Sequence, residues 1–187
     1  IMVVAGVDYS LTSPAICVHS GEEWSYSNCK FYYMVPNEKK IREAENYNCS
    51  VYPEWSEDCE RFNNLAEWSL QWISAAGCSR VAIEGYAFGA VGRVFQIAEN
   101  AGLLKYKLWK QGIEYTVPAP TEIKKFATGK GNANKDLMLE SFNEETGVDI
   151  RAKLDIIKGY NPISDIVDSY YIAKFGFFNG KENDSNI

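Results

Sequence analysis

Histidine is nearly absent from this 187-residue chain, His19 being the single copy, and the five cysteines (Cys17, Cys29, Cys49, Cys59 and Cys78) are scattered without a CxxC pair. Zinc sites need clustered Cys and His ligands, so none is indicated, and an odd set of dispersed thiols makes no disulfide framework. Reduced thiols suit a cytosolic protein. The N-x-Ser triplets at Asn48 and Asn183 are then chance matches. Long apolar runs are missing too: pieces such as Met2 to Val7 fall far below the roughly 20 residues of a spanning helix. No basic n-region or cleavage site opens the chain, so no secretory leader is expected, and Met2 behind Ile1 reads as the native start. A Ser-His-Asp triad could use only His19, and no nucleophile elbow accompanies it. Gly129-Lys-Gly131 lacks both the Ser/Thr of a phosphate loop and the third Gly of a dinucleotide fingerprint, so no organic cofactor is expected.

What the chain does have is apolar and aromatic content, 46% and 14%. A chain this long buries roughly 70% of its unfolded surface as one domain, and so many aromatic side chains exclude disorder over most of it. The net charge of −6 argues, taken alone, against a nucleic-acid partner. Its distribution says otherwise. Seven lysines stand against two glutamates between Ala101 and Lys135, whereas eight acids outweigh four cations between Pro36 and Glu67.

Met2 to Val7 reads as a buried strand closed by Asp8, and Pro14 to His19 as a second strand. Trp24 to Val35 has the aromatic and β-branched content of a third. Residues 36–55 show no period and read as an irregular insertion. Phe62, Leu65, Trp68 and Trp72 recur at helical spacing up to Gly77. Val81 to Glu84 is a short strand, Val91 to Lys110 a helix and Tyr115 to Val117 a strand. Thr121 to Ala127 and Lys135 to Glu144 are helices around a Gly-rich loop, and Asp165 to Phe177 is the last helix. The expected fold is α/β, a mixed five-stranded sheet with an antiparallel meander first and parallel strands after it, flanked by helices. One domain spans residues 1–178, and 179–187 form a polar, frayed tail.

Four carboxylates stand out by position. Asp8 and Glu84 end strands, where ligands collect in α/β folds, and Asp165 and Asp168, at i and i+3, project from one helix face. Each alone reads as well as a solvated turn residue, and Asp165 as a helix cap. Together they would repel strongly unless a cation neutralised them. Hard oxygen ligands select Mg²⁺ or Mn²⁺, and two such ions about 4 Å apart serve in-line phosphoryl displacement.

The order of these acids, with Val7-Asp-Tyr-Ser10, Ala82-Ile-Glu-Gly85, Pro120-Thr-Glu-Ile-Lys-Lys125, Gly129-Lys-Gly-Asn-Ala-Asn-Lys135 and Asp165-Ile-Val-Asp-Ser169, resembles the RNase H-like superfamily and, within it, the RuvC family of Holliday-junction resolvases. The likeness covers Val3 to Phe177. It implies that Asp8, Glu84, Asp165 and Asp168 hold two Mg²⁺ ions per site, with Mn²⁺ able to substitute. It also implies that Lys135, with Lys124 or Lys125, lies near the scissile phosphate and the DNA backbone. Asp-Tyr-Ser replaces the Asp-Pro-Gly of bacterial members, which, with the insertion and the acidic charge, fits a bacteriophage or viral branch.

The expectation is a Holliday junction resolvase nicking four-way and other branched DNA as a homodimer through the helix after Glu84. Lys124, Lys125 and Lys130 would line the DNA face. Phe88 and Arg93 would contact DNA from the loop after Glu84, although aromatic residues there read equally as core. Rival readings are a broader flap or RNase H-type nuclease of this fold and a junction-binding protein that does not cleave.

Overall fold

The computed structural model describes residues 1–87 and 91–180. Strands β1 (Val3–Asp8), β2 (Ala15–Ser20), β3 (Cys29–Val35), β4 (Tyr47–Val51), β5 (Arg80–Ile83) and β6 (Glu114–Thr116) form one sheet in the order β4-β3-β2-β1-β5-β6. β1, β2 and β3 are antiparallel, while β5 runs parallel to β1 and β6 parallel to β5. The expected mixed α/β sheet is therefore present. The segment read as an irregular insertion is the correction: it carries β4, paired parallel to β3 from Phe31↔Tyr47 to Val35↔Val51, so the sheet has a sixth strand. Only Tyr47 of this edge strand is buried, so alternation, the usual strand signal, is missing from its sequence.

Helices α1 (Asp58–Ala75) and α2 (Val94–Lys110) cover one face of the sheet. The other is covered by α3 (Pro120–Thr128), α4 (Lys135–Thr146), α5 (Ile150–Leu154) and α6 (Ile163–Asn179). β1 is a central strand, so both its faces are buried and its sequence is continuously apolar. Side chains alternate along it. Ala5 and Val7 join the α1–α2 core, which leaves Gly6 and Asp8 on the α6 side. The same alternation on β5 sends Val81 and Ile83 one way and Ala82 and Glu84 the other.

Gly6 has a specific reason to be glycine. A Cβ there would lie 2.1 Å from the Ala173 backbone nitrogen and 2.5 Å from the Ser169 carbonyl, so α6 rests directly on the β1 backbone. A glycine inside a strand marks such an approach. Gly176 repeats the contact on β5, where an added Cβ would lie 3.0 Å from that of Ala82. This small-residue seam sets the height of α6 above the strand ends. His19 is wholly buried, stacked on Trp24 at 4.4 Å and edge-on to Phe177. It is a core residue. The five cysteines are free thiols. No helix among the described residues is long and apolar enough to cross a membrane.

Candidate functional site

The parallel register pairs Val7 with Ile83, and the Glu84 N–H continues the ladder to the Val7 carbonyl at 3.1 Å. Asp8 and Glu84 are therefore neighbours at the C-terminal ends of adjacent strands, on the face that α6 covers. In α6, Pro162 occupies the N-cap position and Asp165 sits inside the first turn, so Asp165 is not the cap. Asp165 and Asp168 share the helix stripe that continues through Ser169, Ala173 and Gly176 to the seam.

All four carboxylates are half-buried and electrostatically coupled. Burial is the largest cause of every shift. It holds Asp8 well above the usual carboxylate range, with Asp165, Asp168 and Glu84 adding repulsion in that order. Glu84 is pushed up to about 7, against the pull of Lys124. Asp165 rises only to about 6, because hydrogen bonds from Ser13 and Asp8 favour its charged form and Lys135 assists. Asp168 reaches about 8, raised by burial, then by Glu84 and Asp165, and relieved in part by Lys124 and Lys135. The mutual interaction of Asp8 and Asp165 raises the first and lowers the second. Among the described residues no three His, Cys, Asp or Glu side chains are drawn into a single chelating group. The four meet through their fields, in an oxygen-only donor set whose ionisation is suppressed by burial and then by mutual repulsion.

Two lysines from the α3–α4 hairpin reach this cluster. Pro120 starts α3, the Glu122 side chain accepts from the Ala119 N–H at 2.8 Å, and Gly129 in the left-handed region (φ 81°) ends the helix. Ile123 is the buried position, so Lys124 lies partly beneath the helix and Lys125 faces solvent. Asn134 then caps α4, accepting from the Leu137 N–H at 2.9 Å, which places Lys135 in the first turn with its ammonium 5.2 Å from the Tyr160 ring centre. Lys125 and Lys130 are exposed, and neither is among the charges that shift the carboxylates. Arg93 is exposed beside a cavity of about 390 Å³ that also touches Asp8, Glu84 and Tyr86. Phe88 lies outside the described residues.

Sequence reasoning missed Ser13. Its hydroxyl donates to Asp165 Oδ2 at 2.6 Å across 152 residues of chain. The turn that presents it is fixed locally, since Ser10 Oγ accepts from the N–H groups of Thr12 and Ser13. Arg61 Nη2 ties the turn to α1 by donating to the Leu11 carbonyl at 2.6 Å. A serine in a turn reads as local turn chemistry, and nothing in its spacing points to Asp165.

No family model matches the chain, and no curated protein matches it in sequence. Solved structures do match in shape. Thermus thermophilus RuvC superposes with a TM-score of 0.62 at 17% identity, covering 97% of each chain. The same protein in complex with its Holliday junction substrate gives 0.65 at 16% identity, over 98% of this chain and 97% of that one. Fowlpox virus resolvase, solved with substrate Holliday junction DNA, gives 0.54 at 14% identity, over 95% and 98%. What is shared at these identities is the fold, the RNase H-like α/β architecture of RuvC.

Proposed function

We propose that this chain is a metal-dependent endonuclease that resolves four-way DNA junctions, and nicks related branched DNA, by paired phosphodiester hydrolysis. The observation that carries the reading is the convergence of Asp8, Glu84, Asp165 and Asp168 with Lys124 and Lys135 above the ends of β1 and β5. Proteins of the same fold solved on Holliday junctions support branched DNA as the substrate. The Asp-Tyr-Ser opening, the segment over residues 36–55 and the acidic net charge favour a bacteriophage or viral branch of resolvases.

The donor set fits hard divalent ions, because half-buried carboxylates that resist ionisation are relieved by positive charge. Asp8, Glu84, Asp165 and Asp168 would hold them. Mg²⁺ or Mn²⁺, two per site, would supply Lewis-acid stabilisation of charge at the phosphorus centre. Asp8 interacts with all three other acids and is the central member. Ser13 orients Asp165 and favours its charged form against the effect of burial. Lys135, steadied over Tyr160, stabilises negative charge as it develops on the phosphate, and Lys124 holds Glu84 and Asp168 toward their ionised forms. Products are 5′-phosphate and 3′-hydroxyl ends.

Resolution needs two matched nicks on a nearly two-fold substrate, which an isologous homodimer supplies. α2 offers the surface: Phe95 and Trp109 are 79% and 70% exposed and lie two heptads apart, with Tyr106 also exposed on that side. Light scattering should show a dimer, and a monomer both free and on a junction rejects it.

The test of the function is Asp8→Asn, which removes a charge at nearly constant volume. Junction binding should survive while nicking in Mg²⁺ or Mn²⁺ falls by orders of magnitude, with Ca²⁺ inactive throughout. Near-normal cleavage by Asp8→Asn sinks the four-carboxylate site. Parallel assays on flap, Y-form and RNA–DNA hybrid substrates separate a resolvase from a broader nuclease. Binding without cleavage by the unaltered protein would identify a junction-binding protein.

A further inference from the structure

A second cavity, of about 490 Å³, opens at the β1–β2 turn, next to the one beside Asp8 and Glu84. Thr12 lines both cavities, so they meet at that turn. Ser13 stands in the wall of the second, which therefore begins one hydrogen bond away from Asp165. Its other walls come from the β3–β4 connection, which contributes Lys40 and Arg42, and from the α5–α6 loop, which contributes Lys158 and Asp155. Three cations thus face one acid among the described lining residues, in a chain whose net charge is −6. Among the described residues none of the three is in an ion pair.

The walls are braced. Arg42 Nη1 donates to the Lys39 and Ile41 carbonyls at 3.1 and 2.8 Å, and the Tyr33 hydroxyl donates to the Arg42 carbonyl. Across the cavity, Arg151 Nη1 donates to the carbonyls of Ile156 and Ile157 at 3.2 and 3.4 Å. Cations without acidic partners, set around an open cavity, suit a ligand that brings several negative charges in a row. A nucleic-acid strand does so, and single-strand sites pair a positively charged groove with the backbone.

We infer that this cavity seats the phosphodiester backbone of the substrate strand flanking the cut on the Asp165 side, with Lys40, Arg42 and Lys158 as the side chains that meet its phosphates. The inference rests on the reading of the site as a DNA nuclease and gives the β3–β4 connection a role in it. The strand would cross the β1–β2 turn from one cavity to the other.

The experiment measures junction binding in Ca²⁺ at several salt concentrations for the wild type, for Lys40→Ala/Arg42→Ala/Lys158→Ala, and for Lys40→Glu/Lys158→Glu, which leaves the bracing Arg42 in place. Removing one cation from a DNA phosphate lowers the slope of log K against log[salt] by roughly 0.9. The triple variant should therefore lose about 2.7 of slope and about tenfold or more in affinity near physiological salt. Asp155→Asn should tighten binding. Neutralising two or three phosphates beside the cut as methylphosphonates should weaken the wild type and leave the triple variant unchanged. Unaltered slope and affinity in both variants, while the wild type binds and nicks junctions, overturns the inference alone. A wild-type protein that binds no DNA overturns the nuclease reading, and the inference with it.

Discussion

Lys124 and Lys135 of the α3–α4 hairpin draw the carboxylates toward their ionised forms, whereas Lys125 and Lys130 do not. The four share one chemistry and lie within twelve residues of one another. What separates them is helix phase and capping. Lys124 precedes Lys125 by the 100° of one helical step, which is enough to carry one ammonium beneath the helix and the other away from it. Asn134 fixes the start of α4 and so sets Lys135, itself exposed, beside Tyr160 and within the field of Asp165 and Asp168, whereas Lys130 rides on a loop held by the Thr128 hydroxyl. A basic segment is thus two devices, one acting on the acids and one available to phosphates at longer range.

The largest separation between the pairs should appear in the chemical step. Lys135→Ala should lower the nicking rate at saturating protein by roughly 100-fold, the scale of losing one group that stabilises transition-state charge. Its junction affinity should fall less. Lys124→Ala should cost less, and more at neutral than at alkaline pH, because Glu84 and Asp168 then ionise later. Single-turnover rates across a pH series measure both. A normal saturated rate for Lys135→Ala makes it a backbone anchor and erases the distinction.

Stability without metal gives a smaller effect with a definite sign. The four acids have folded-state pKa values raised above the unfolded ones, so the fold favours their protonated forms. The stability they contribute is fully present below about pH 4 and is lost as pH rises through about 6 for Asp165, 7 for Glu84 and 8 for Asp168. Metal-free protein should melt at a lower temperature at pH 8.5 than at pH 5.5. Mg²⁺ should raise the melting temperature much more at the higher pH. Asp168→Asn should flatten this dependence, Lys124→Ala and Lys135→Ala should steepen it, and Lys125→Ala and Lys130→Ala should leave it alone. Equal slopes for all four lysine variants would remove the electrostatic distinction between the pairs.

The smallest effect belongs to the outer pair. Lys125→Ala and Lys130→Ala should each lower the salt slope of junction binding by up to about 0.9 while the saturated nicking rate stays at the wild-type value. A rate loss matching that of Lys135→Ala places them at the chemistry instead.

Several of these features can be read from the chain before any coordinates. Apolar runs closed by Asp8 and Glu84, and the three-residue spacing of Asp165 and Asp168, fix where the acids fall in an α/β sheet, because strand ends and helix faces follow from periodicity. The choice between Lys124 and Lys125 stays open in the sequence, because it turns on which face of the helix buries Ile123. Other features are beyond reading along the chain. β4 hides because an edge strand with one buried residue needs no alternation. Ser13 hides because its partner is 152 residues distant. The acid-rich count over residues 36–67 hides Lys40 and Arg42, which folding gathers on one wall while the acids go elsewhere.

The contact at Gly6 makes α6 a lever. Ala173 is the fulcrum, pressed on a strand with no side chain to cushion it. Asp168 and Asp165 lie five and eight residues along the arm, about 7.5 and 12 Å away at 1.5 Å per residue. A tilt of ~5° about that point would carry Asp165 through ~1 Å, comparable with the tolerance of a reacting group's placement. A methyl group added far below the carboxylates would therefore be felt at their tips, and the gap between the two pairs of acids is gauged by an atom that is not there.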